Sequence, residues 1–135
     1  MQYELKELDK YKFIEEGQGE PLVLLHGLFG ALSNFQSLIE YFKNHYKVIV
    51  PVLPLFELDI LHTTVGGLAK FVNKFLEARD LKDVHLMGNS LGGHVALLHI
   101  LKHPERIKSL TLAGSSGLFE NGMGARVSRG AQCSI

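Results

Sequence analysis

Five residues, Gly88-Asn89-Ser90-Leu91-Gly92, stand between a short apolar run at 84–87 and a helical run at 91–103 that Pro104 stops. The pattern predicts a strand, a sharp turn carrying a serine, and a helix. That shape suits nucleophilic chemistry. A serine hydroxyl is a weak nucleophile, and it must stand clear of the sheet beside a base and beside N–H donors for an oxyanion. So tight a turn strains the serine backbone and brings the positions two before and two after it together, where glycine fits. A bare G-x-S-x-G arises by chance in roughly a few per cent of chains this long. The strand-turn-helix setting is what gives it weight. A phosphate-cradling loop fits worse: Gly88, Gly92 and Gly93 do not make G-x-G-x-x-G, and no G-K-[ST] occurs.

A second apolar run, 22–25, leads straight into His26-Gly27-Leu28-Phe29-Gly30. A histidine in a strand-end H-G turn more often braces the loop by hydrogen bonding than moves protons. Elsewhere, 3–8 and 11–16 alternate weakly and predict an antiparallel pair turning at Asp9-Lys10. Ser33-Asn34-Phe35-Gln36 has the form of a capping box, with Phe35, Leu38, Ile39 and Phe42 on one helical face. The stretch 46–52 reads as a buried strand closed by Pro54. Val65, Leu68, Ala69, Val72, Phe75 and Leu76 predict a second amphipathic helix starting near Thr63 or Thr64, and 107–113 predicts a last strand. Buried strands separated by helices predict an α/β domain: a mostly parallel sheet with helices on both faces.

Together H-G-L-F-G at 26–30, V-I-V-P-V-L-P at 48–54, G-N-S-L-G-G-H at 88–94 and L-T-L-A-G-S-S-G-L at 110–118 resemble the amino-terminal half of an α/β-hydrolase-fold protein. Within that superfamily the chain is similar to the esterases and the meta-cleavage-product (carbon–carbon bond) hydrolases. The resemblance covers 1–124. It implies an incomplete α/β-hydrolase fold, with strands up to the one after the Ser90 helix. It also implies serine hydrolysis of an ester or related acyl or C–C bond in a small-molecule substrate, with no cofactor and no metal. Ser90 is then the nucleophile, and the backbone amides of Leu91 and Leu28 form the oxyanion hole, with Phe29 the fallback for Leu28. One departure stands out: Val52-Leu53-Pro54-Leu55-Phe56 replaces the family's D-L-P-G-x-G, so that loop is altered. No Asp follows Ser90 and no His follows His103. The expectation is a truncated enzyme with little activity alone. The alternatives are a non-catalytic binding module and half of a split enzyme completed in trans.

Acidic and basic residues balance at 14 each, so nothing favours nucleic acid or an anionic membrane as partner. The start, Met1-Gln2-Tyr3-Glu4-Leu5-Lys6, lacks a signal-peptide pattern, and no apolar run approaches the roughly 18 residues of a membrane span. Cys133 is the single cysteine, which makes a cytoplasmic location the default. The tail at 125–135 has neither period and reads as irregular and outside the family register. His99 and His103 are spaced i, i+4 but lack the glutamate and third ligand of a zinc site. His94, one helical turn beyond Ser90, belongs to the packing helix and is a remote candidate for a substitute base. His45, His62 and His85 suggest no partner, and Phe29, Phe35 and Phe56 are pocket-lining candidates more often found in cores. The apolar strand at 107–113 has no later strand to cover it, so self-association through an exposed sheet edge is expected.

Overall fold

A computed structural model of the chain describes residues 3–27, 35–55 and 64–114. Within them run β1 (Lys6–Leu8), β2 (Tyr11–Glu16), β3 (Pro21–Leu25), α1 (Gln36–Phe42), β4 (Lys47–Pro51), α2 (Val65–Ala78), β5 (Val84–Asn89), α3 (Leu91–Lys102) and β6 (Ile107–Ala113). The six strands form one sheet in the order β1-β2-β4-β3-β5-β6. The pairs β4–β3, β3–β5 and β5–β6 are parallel, while β1–β2 and β2–β4 are antiparallel. The expected mostly parallel α/β sheet is present, with an antiparallel hairpin at one side.

The period of two along the central strands divides the core. Val23, Leu25, Ile49 and Leu86 point to the face covered by α2 and α3, whereas Leu22, Leu24, Val48 and Val50 point to the face covered by α1. This burial on both sides is why these strands read as near-continuous apolar runs. On the first face, Phe75 of α2 packs edge-on against Tyr11, with ring centroids 5.6 Å apart, and tilts against Phe13 at the same separation. The Arg79 guanidinium, just past α2, lies 4.5 Å from the Phe13 ring centroid and pairs with Glu15. That pairing holds the Glu15 carboxyl below its ordinary pKa against the opposing effect of burial.

Local signals set the element ends. Thr64 caps α2, its Oγ1 accepting the Gly67 N–H at 2.9 Å. β5 begins at Val84, the first residue of the apolar run; just before it Asp80 and Asp83 take positive φ, 47° and 52°, and interrupt the extended chain. Leu81 is still buried, as an anchor ahead of the strand. β1 spans only Lys6–Leu8 of the stretch expected from Tyr3, and Leu5 is exposed. The turn falls at Asp9, whose φ is 52°. Ser33, of the expected capping box, lies outside the described residues; α1 starts at Gln36 with Phe35 before it, and Phe35 is a core residue.

Candidate active site

β3 and β5 are parallel neighbours, so the segments that follow them emerge at the same end of the sheet. After β5, Ser90 sits between strand and helix at φ 55°, ψ −121°, a conformation sparsely populated by any residue with a Cβ. Its side chain is exposed. Three backbone bonds hold it there. The Ser90 N–H donates to the Ala113 carbonyl of β6 at 3.1 Å, and the Ser90 carbonyl accepts from Gly93 at 3.0 Å and His94 at 3.3 Å.

The flanking glycines are needed for space. A Cβ on Gly88 would lie 2.3 Å from the Gly92 carbonyl oxygen, and one on Gly92 would lie 2.1 Å from the Leu25 carbonyl oxygen. The helix thus enters by resting its first turn directly on the end of β3. A Cβ on Gly27 would meet the Ser90 Cβ at 3.2 Å and Oγ at 3.6 Å, so the turn after β3 closes onto the serine itself. Leu91 opens α3, and the N–H groups of a helix's first turn have no intrahelical acceptor. Gly93 donates instead to the Ser90 carbonyl, which leaves the Leu91 and Gly92 N–H groups, with the helix dipole, as the positive end of α3 next to Ser90.

His26 is buried and spans two loops. Its Nε2 accepts the Leu53 N–H at 2.9 Å, which places the proton on Nδ1, 3.1 Å from the Gly27 carbonyl it faces. Burial holds the imidazole below its ordinary pKa. This is a strut between the segments after β3 and β4. Leu28 and Phe29 lie outside the described residues, as do His62 and Phe56. Among the described residues, no histidine or carboxylate hydrogen-bonds the Ser90 hydroxyl. His94 is half-buried on α3 and reaches Ser90 only through its backbone N–H. His99 is fully buried beside α2, neither ring nitrogen has a hydrogen-bond partner among the described residues, and burial lowers its pKa. So enclosed a ring is not presented to a metal.

The sheet order, the strand-to-helix serine and the glycine contacts describe one class of protein. The chain belongs to the alpha/beta hydrolase fold family, whose model matches residues 20–129. It is 29% identical over 122 residues to Lipase 1 of Psychrobacter immobilis, covering 85% of this chain and 38% of that lipase. It is 34% identical over 112 residues to the 2-hydroxy-6-oxo-6-phenylhexa-2,4-dienoate hydrolase of Burkholderia cepacia, covering 77% of this chain and 39% of that enzyme. Among solved structures, an alpha/beta hydrolase from a sediment metagenome of the Mar Chica lagoon, Morocco, is 46% identical with a TM-score of 0.81, over 87% of this chain and 54% of that one. The chain therefore spans about two-fifths of the length of those two curated relatives.

Proposed function

We propose that this chain carries the nucleophile-bearing half of a serine hydrolase acting on an ester or related acyl or C–C bond of a small molecule. Ser90 Oγ attacks the carbonyl carbon, and the oxyanion is held by the Leu91 amide and by an amide of the loop after β3, at Leu28 or, failing that, Phe29. Water then releases the product. The observation that carries this reading is Ser90 itself: exposed, at φ 55°, on the turn from β5 to α3, with Gly27 against its Oγ. The relatives named as a lipase and a dienoate hydrolase support the substrate class. A cytoplasmic setting is part of the proposal and rests on the lone Cys133. Among the described residues no helix is long and apolar enough to cross a membrane.

The proposal includes low activity for the chain alone, since an unactivated hydroxyl attacks slowly without a base in reach. Its test uses p-nitrophenyl acetate hydrolysis and fluorophosphonate labelling of Ser90. The chain alone is expected to match Ser90→Ala in both. Supplying the carboxy-terminal half of the lagoon-sediment hydrolase in trans is expected to raise Ser90-dependent hydrolysis and labelling. Ser90-dependent turnover by the chain alone would overturn the low-activity reading and make His94 the first base to test. No Ser90 labelling even in a complex shown to form would overturn the nucleophile assignment.

A further inference from the structure

A serine–histidine–carboxylate relay lies at the opposite end of the strands from Ser90. His85, the second residue of β5, faces Ser109, its direct partner on β6; Nδ1 and the Ser109 Oγ are 2.6 Å apart. The other ring nitrogen, Nε2, lies 3.0 Å from Oε2 of Glu20, which precedes β3. A carboxylate can only accept, so Nε2 carries the proton and Nδ1 presents its lone pair to the hydroxyl. The ring is fixed by packing as well: Tyr46 stands edge-on to it, with centroids 5.5 Å apart and planes at 77°. Lys108 Nζ donates to the other Glu20 oxygen at 2.7 Å, which steadies the carboxylate. Ser109 is exposed on β6, which among the described strands pairs only with β5, and the His85 side chain keeps 21% of its accessibility. Ser90 lies five residue steps along the chain from His85, about 16 Å, so neither serine can use the other's surroundings.

We propose that Ser109, with His85 as its base and Glu20 as a positioning residue, is a reactive acyl-acceptor site for activated acyl donors such as aryl esters and thioesters. In the step, a bond forms between Ser109 Oγ and the carbonyl carbon while the bond to the aryl oxygen or thiol sulfur breaks. The serine proton passes to His85 Nδ1 and from there to the leaving group or solvent. No further reactant is needed. The outcome read is an acylated serine. This inference is independent of Ser90.

The test is brief treatment of the folded chain with p-nitrophenyl acetate at pH 8, followed by peptide mass spectrometry of each serine. Ser37 is the internal control, being exposed on α1. Acetylation of Ser109 is expected to exceed that of Ser37 by about tenfold or more, the low end of what a positioned base contributes being larger still. His85→Gln should abolish the excess, and Glu20→Ala should reduce it. Glu20→Gln should retain most of it, because an amide oxygen still accepts from Nε2–H. Unfolding in urea should bring Ser109 and Ser37 to the same level. Equal labelling of the two serines in the folded chain, or an excess that survives His85→Gln, would overturn the proposal. Labelling at Ser90 is read from a separate peptide and bears on the other assignment alone.

Discussion

Replacing Ser90 by glycine is expected to stabilise the fold, while replacing it by alanine leaves stability almost unchanged. Alanine keeps the Cβ, and with it the cost of φ 55°, ψ −121°; the hydroxyl it removes is exposed, so the change should stay within about 0.5 kcal/mol. Glycine releases a backbone cost of about 1–3 kcal/mol. Against that stands the greater freedom of glycine in the unfolded chain, about 0.5–1 kcal/mol. The balance puts Ser90→Gly above Ser90→Ala by up to about 2.5 kcal/mol, with a central value of about 1 kcal/mol. For a urea slope of about 2 kcal/mol per molar, that central value is a midpoint difference of roughly 0.5 M. The control is Lys74, exposed in the middle of α2, where glycine should instead fall below alanine by about 1 kcal/mol. Equilibrium urea unfolding followed by circular dichroism reads all four variants. If Ser90→Gly is no more stable than Ser90→Ala while the Lys74 pair behaves as expected, no strain is stored at the serine and the argument fails.

Gly92→Ala should destabilise by about 3 kcal/mol or more, because its Cβ would press on the Leu25 and His26 carbonyl oxygens at 2.1 and 2.8 Å and backbone cannot yield. Gly66→Ala, whose nearest neighbour would be the Thr64 hydroxyl at 3.8 Å, should gain up to about 1 kcal/mol, and thermal melts rank the two. Burial lowers the pKa of both His26 and His99, so below an ordinary value of 6.5 the unfolded chain takes up protons that the folded one refuses. Their contribution is therefore intact above pH 6.5 and falls as the pH drops toward the folded pKa values, by up to about 1.4 kcal/mol per pH unit for each histidine. Urea midpoints from pH 7.5 to 5 should flatten in a His26→Gln, His99→Leu double variant, and an unchanged slope would refute this. His99→Leu alone should raise stability at pH 7 by about 1–2 kcal/mol, since it removes two buried nitrogens without hydrogen bonds. We propose that the chain self-associates along β6, whose seven residues include none that is buried and which among the described strands pairs only with β5. Lysine substitution at Thr111, exposed on that strand, should shift light scattering toward monomer, and a wild-type chain that is already monodisperse monomer would refute it.

Much of the fold was legible because its signals are local. β6 falls on the residues the apolar pattern predicts, α2 is capped by one of the two threonines named for its start, and α3 ends one residue before its expected limit. Each rests on a period, a cap or a proline that acts within one turn of chain. The sheet order was not legible. Placing β4 between β2 and β3 depends on which apolar faces dock together, and no neighbouring residues encode it. The same holds for the histidines. The bracing role expected for His26 could be read from its turn, but its partner Leu53 N–H lies 27 positions away. His85 suggested no partner because Ser109 and Glu20 are 24 and 65 positions distant. The strands that carry His85 and Ser109 were visible in the sequence. The register that sets them side by side was not.

The pairing of β3 with β5 has a consequence for when this site comes into being. Leu22 lies opposite His85 across a loop of roughly sixty residues, whereas β5 meets β6 after about twenty-four. Closing the longer loop costs more entropy and delays the contact, so β5, α3 and β6 can assemble around Ser90 before the end of β3 arrives beneath Gly92. The serine turn is then built early, and the His26–Gly27 turn is delivered to it late.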